Sequence, residues 1–130
     1  MRYLLATIIL IISTSSVAMD NVVPNKLVQM IIDSKELSQF WHPEAEGRVP
    51  LRIIHKNIGT SEGIKMHGEN IVLIKKPDNS PYFEITNFTL SEGVWHLSVA
   101  YPVEGVSGEF KAKMLPNRQW KLISTSVVEH

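Results

Sequence analysis

Val106-Ser107-Gly108-Glu109-Phe110-Lys111-Ala112-Lys113-Met114-Leu115 carries Phe110, Ala112 and Met114 at every second position, with Glu109, Lys111 and Lys113 between them. Side chains alternate across a strand, so this period of two predicts a strand with one apolar and one charged face. Trp95, Leu97, Val99 and Tyr101 repeat the pattern upstream, and Trp120 and Leu122 repeat it downstream. A slip of one residue turns a whole strand over, so requiring the apolar residues to share a face restricts the register. A two-residue turn at Glu104-Gly105, where Gly105 supplies the positive φ, sets Val99 opposite Phe110, Leu97 opposite Ala112 and Trp95 opposite Met114. A three-residue loop, Pro116 to Arg118, sets Trp120 opposite Met114 and Leu122 opposite Ala112. One apolar wall is expected, with His96, Ile123 and Val127 on the charged face behind it.

Turn residues at Gly59 to Gly63, Pro77 to Pro81 and Ser91 to Gly93 separate three further strand-length segments: Leu51 to Ile58, Ile71 to Lys76 and Tyr82 to Leu90. Before them, Leu27, Met30, Ile31, Ser34, Leu37 and Trp41 recur at helical spacing behind Pro24. The expectation is one amphipathic helix that ends by His42, because Pro43 disfavours the α conformation in the residue before it. The fold class is α+β: one N-terminal amphipathic helix packed on a curled antiparallel sheet of five or six strands.

Arg2, the apolar run Leu4 to Ile12 and the small residues Ser16-Val17-Ala18 have the pattern of a cleaved secretory signal peptide over residues 1–18. The run is far shorter than the ~20 apolar residues that span a bilayer, so no membrane anchor is expected after cleavage. Residues 19–130 then form a single domain of about 112 residues. Thirteen basic and thirteen acidic residues leave no field to steer nucleic acid. With no cysteine, disulfides, thiolate metal sites and thiol nucleophiles are excluded. Secretion without disulfides fits a bacterial periplasm or secreted milieu. The sequon Asn87-Phe88-Thr89 lies within a strand pattern, where its acceptor is expected to be inaccessible.

No Gly-x-Ser-x-Gly and no glycine-rich phosphate loop occurs, so no catalytic residues and no cofactor are assigned. Two groups remain. His42-Pro43-Glu44-Ala45-Glu46-Gly47-Arg48 gathers a histidine, two carboxylates and a guanidinium on one loop, where scaffolds often carry function. It lacks the two-histidine spacing of a zinc motif, and a metal ion would need His55 or His67 brought in by the fold. With Tyr101 and Glu104, the residues His42, Glu44 and Arg48 form a candidate binding site at the helix–sheet seam. His96, Lys111, Lys113 and Lys121 form a modest basic patch suited to an anion or an acidic partner.

Trp41-His42-Pro43-Glu44, Gly47-Arg48-Val49-Pro50-Leu51 and Tyr101-Pro102-Val103-Glu104-Gly105-Val106 with Gly108 resemble a group of small bacterial periplasmic proteins of unknown function, which implies a periplasmic location. One helix before an antiparallel sheet resembles the cystatin-like and nuclear-transport-factor-like architectures. Of the cystatin inhibitors' Gln-x-Val-x-Gly hairpin only Val103-Glu104-Gly105 is present, and Pro116 stands apart from Trp120. Ser107-Gly108 is similar to the start of the Ser-Gly-x-x-Tyr loop of secreted lysozyme inhibitors, with Lys111 where the tyrosine belongs. The signal-peptide pattern, the lack of a catalytic constellation and the two projecting turns at Glu104-Gly105 and Pro116 lead to the expectation of a non-catalytic protein-interaction module with a protein partner, inhibition being one form of it. The alternative is a small-ligand or metal-binding domain.

Overall fold

The computed structural model describes residues 22–130, so the expected signal peptide lies outside the described residues. Two helices come first among the described residues: α1 (Asn25–Ile32) behind Pro24, and α2 (Lys35–Ser38). The expected single helix is therefore broken. Ser34 is extended, with φ −60° and ψ 142°, and its carbonyl accepts the Ser38 N–H at 3.0 Å to start the second helix. Serine favours such a position over a helix interior. The chain then turns back, and the Trp41 indole N–H donates to the Ile32 carbonyl at 3.0 Å, satisfying a group that the break leaves without a helical partner. The break also changes the apolar stripe. Val28 and Ile32 are buried with Leu27, Ile31, Leu37 and Trp41, whereas Met30 is only half-buried.

Eight strands follow: β1 (Arg52–Ile54), β2 (Lys65–Met66), β3 (Glu69–Asn70), β4 (Val72–Ile74), β5 (Glu84–Ser91), β6 (Val94–Tyr101), β7 (Val106–Met114) and β8 (Trp120–Glu129). They do not form one sheet of five or six strands. Only β5-β6-β7-β8 make a four-stranded antiparallel sheet. β1 and β4 pair in parallel, because the chain between them forms the small β2–β3 hairpin and returns in its original direction. That hairpin turns through His67-Gly68, both at positive φ, the backbone that a two-residue turn requires. β1 is also bridged to Phe83 just before β5: Phe83 N–H donates to the Arg52 carbonyl at 2.8 Å, and Ile54 N–H to the Phe83 carbonyl at 3.0 Å. β1 thus ties the small parallel pair to the main sheet.

The β7–β8 register is the expected one, with Met114 opposite Trp120 and Ala112 opposite Leu122. Between β6 and β7 it differs by two residues: Leu97 lies opposite Phe110 and Trp95 opposite Ala112. The cause is the turn, since Pro102–Glu104 winds as a 3₁₀ turn closed by Gly105 at φ 66°. A shift of two preserves the faces, so the apolar wall survives. Two bulges do exchange faces, at Thr86 and at Ile123. The second moves Val127 from the charged face, where it was expected, to a place opposite Gly108 on the core side. The first leaves Asn87 exposed on the outer face, contrary to the inaccessible acceptor expected there.

The helices cover only part of the wall. Leu97, Val99, Tyr101, Phe110 and Ala112 are buried, each side chain contributing roughly 1.5–3 kcal/mol where it is large. Toward the other end Phe88, Trp95 and Trp120 are only partly buried, and Leu90 and Met114 are 46% and 50% exposed.

Candidate functional site

Two loops meet at the end of the sheet where β6 turns into β7. The first is residues 42–48, which leaves Trp41 with His42 at φ 47° and closes a turn from Ala45 N–H to the His42 carbonyl at 2.9 Å. Gly47, at φ 79°, lies so close to Pro81 that an added Cβ would stand 3.1 Å from its ring. This contact fixes where the loop crosses the Pro81 segment and delivers Arg48 inward. The second is the 3₁₀ turn, whose Gly105 N–H donates to the Pro102 carbonyl at 3.0 Å and whose Gly105 carbonyl accepts the His130 N–H at 2.7 Å. His130 thus clamps the turn that presents Glu104.

The five residues expected at the seam do come together. Arg48 Nη2 lies 2.8 Å from Glu104 Oε2, with the two side chains 11% and 17% exposed, and Arg48 Nη1 donates to the Trp41 carbonyl at 3.3 Å. His42 stands between two carboxylates, Nε2 3.5 Å from Glu104 and Nδ1 3.4 Å from the exposed Glu44. The Arg48 guanidinium lies over the Tyr101 ring, 5.9 Å from its centroid. Tyr101 and Trp41 meet edge to face at 4.8 Å, and Trp41 meets Phe83 in the same way at 5.5 Å, so the ion cluster rests on an aromatic floor.

Burial opposes the charge on Arg48, yet the hydrogen bond to Glu104 and the fields of Tyr101 and Glu104 outweigh it and raise its pKa. Burial pushes the Tyr101 hydroxyl upward as well, partly offset by the Arg48 charge. That hydroxyl is buried and has no protein partner in good hydrogen-bonding geometry.

Glu104 is engaged by the Arg48 guanidinium on one carboxylate oxygen and faces His42 with the other. The same guanidinium repels a cation, and among the described residues no three metal-ligating side chains converge; His55 and His67 are exposed elsewhere. Beside the cluster runs a groove of about 370 Å³ lined by Asn79, Ser80, Pro81, Tyr82, Pro102 and Val103. The sequence marked Asn79 to Pro81 as turn and Tyr82, Pro102 and Val103 as strand ends, and did not single them out as a site. Proline beside an aromatic residue at Pro81-Tyr82, and proline beside an apolar residue at Pro102-Val103, was the available signal.

The second expected group lies on the outer face of the sheet. His96 is opposite Lys111, and Lys113 stands between Val94 and Lys121. All four are exposed, and none makes an ion pair among the described residues. The patch exists with the register corrected by two residues, and it does not adjoin the Glu104 cluster. Compared with family models, with curated proteins and with solved structures, the chain matches none.

Proposed function

We propose that this protein is a non-catalytic interaction module of the periplasm or secreted milieu that takes a segment of a partner protein at the end of the sheet where residues 42–48, 79–82 and 102–105 meet. The observation that carries this reading is the groove between Pro81-Tyr82 and Pro102-Val103 beside the Arg48–Glu104–His42 cluster. An apolar trough with charged and hydrogen-bonding groups along its rim fits an extended peptide, whose side chains enter the trough while its polar groups meet the rim. The turn is clamped by His130 and floored by Trp41 and Tyr101, so little ordering is required on binding. Val103 projects from it, 44% exposed, in the manner of a hairpin that inhibitors insert into their targets, and the inhibitor form of the proposal rests on that likeness of shape.

The test is a photo-crosslinking residue placed at Val103 or, as a control on another surface, at Lys56, in the cells that make the protein. A discrete adduct from position 103 alone is expected. Equal adducts from both positions, or none from 103, refute the reading. The buried, unpartnered Tyr101 hydroxyl favours a second reading, a small ligand held by His42, Glu44, Arg48 and Tyr101. A thermal shift with small carboxylic acids that disappears in His42→Ala supports that reading, and no shift across the panel removes it.

A further inference from the structure

The opposite end of the sheet carries a second surface that the Glu104 cluster does not use. β6 alone spans about 25 Å between the two ends. At this far tip the helices no longer cover the apolar wall. Phe88 stacks on Trp95 with centroids 5.6 Å apart, Trp95 meets Trp120 at 6.4 Å, and all three are only partly buried. Leu90, opposite Trp95, and Met114, opposite Trp120, continue this patch at 46% and 50% exposure.

The same tip is basic. Lys113 and Lys121 are paired neighbours on the outer face, and Arg118 sits in the turn between β7 and β8 at φ 67°. All three are exposed, and none takes part in an ion pair among the described residues. Glu92 lies in the turn between β5 and β6 at the same tip.

We propose that this tip docks on an anionic lipid surface, with the two tryptophans, Leu90 and Met114 at the level of the headgroups and Lys113, Arg118 and Lys121 against the phosphates. Tryptophan and cationic side chains are the residues that settle at a bilayer interface, and an exposed aromatic patch of this kind on a small domain marks an interaction surface. A second copy fits poorly, because apposing two such tips brings their lysines and arginines together. The surface is independent of the peptide groove, so either proposal can fail without the other.

The experiment measures partitioning of the full chain onto vesicles of phosphatidylglycerol and of phosphatidylcholine, for the parent, Lys113→Glu/Arg118→Glu/Lys121→Glu, Leu90→Ser/Met114→Ser, and Val103→Asp. Every form carries the same residues 1–21, so any contribution of the apolar run Leu4 to Ile12 is common to all and the differences belong to the tip. Circular dichroism checks that each variant is folded. The parent is expected to prefer phosphatidylglycerol. Since each cation beside an anionic surface contributes about five-fold, and the substitutions also add three repelled carboxylates, the triple variant should lose at least about 100-fold in partitioning. The Leu90/Met114 variant also weakens, Val103→Asp does not, and brominated lipid quenches the parent's tryptophan fluorescence. Equal partitioning of parent and folded tip variants overturns the proposal. So does a parent that ignores anionic vesicles while binding an acidic polypeptide such as polyglutamate, which assigns the tip to a protein partner.

Discussion

Trp41→Phe tests whether one side chain holds both the helix break and the floor of the site. Trp41 is 2% exposed, donates its indole N–H to the Ile32 carbonyl at 3.0 Å, and packs edge to face on Phe83 and Tyr101. Phenylalanine keeps one ring in place and removes the donor, leaving a carbonyl in the core without its partner, at a cost of about 1–3 kcal/mol. The smaller ring leaves a void of about 40 Å³, which adds about 1 kcal/mol at ~24 cal/mol per Å³. The sum, about 2–4 kcal/mol, is a large part of the 5–15 kcal/mol typical of a whole domain. Urea unfolding followed by far-ultraviolet circular dichroism reads it as a lower midpoint with an unchanged slope. A loss below about 0.5 kcal/mol, the range of an ordinary surface substitution, would falsify the account of the broken helix.

Three further outcomes follow from the same contacts. Ile31→Asp places a carboxylate at a fully buried position in the core, and the variant should show no cooperative thermal transition by circular dichroism; a parent-like melt refutes the packing of α1. Arg48→Ala, Glu104→Ala and the double variant, compared by urea unfolding, should give a coupling of about 1–3 kcal/mol, between the values for exposed and fully buried ion pairs; additivity within error refutes the pairing. Tyr101→Phe should change stability by less than about 1 kcal/mol at neutral pH, since it removes a buried hydroxyl with no partner in good hydrogen-bonding geometry. The folded-state pKa of Tyr101 is raised, so its contribution is fully present below the unfolded value of about 10 and is lost as the pH rises through the folded value. The parent's stability should therefore fall more steeply above about pH 10 than the variant's, and parallel curves refute the assignment.

Some of this structure was legible in the residues. Phe110, Ala112 and Met114 against Trp120 and Leu122 fixed the β7–β8 register, because Pro116-Asn117-Arg118 leaves a loop of one workable length. The β6–β7 register was not recoverable in the same way. Alternation fixes the parity of a pairing and cannot distinguish registers that differ by two, so the winding of Pro102-Val103-Glu104 decided it. The bulges at Thr86 and Ile123 leave no mark in a period of two until they are crossed, which is why Val127 was placed on the wrong face. The parallel pairing of β1 with β4 rests on three residues from each strand, too few for any periodicity to show direction. At the site, residue type and loop position singled out His42, Glu44 and Arg48. Their meeting with Glu104 joins segments some sixty residues apart, and no local pattern encodes that approach.

The two largest departures from periodicity are the two that build the site. A helix running unbroken to Trp41 rises about 1.5 Å per residue and carries the chain past the end of β6. Because Ser34 interrupts it and the Trp41 indole folds back onto the Ile32 carbonyl, the chain leaves Trp41 directly over Tyr101, 4.8 Å between ring centroids, and His42 to Arg48 start from there. A two-residue turn at Glu104-Gly105 would extend β6 through Val103 and put Glu104 at the tip of a hairpin, away from that loop. The 3₁₀ turn instead ends β6 at Tyr101 and brings the Glu104 carboxylate to Arg48 and His42. Both departures from simple periodicity thus converge on one pair of side chains, Arg48 and Glu104.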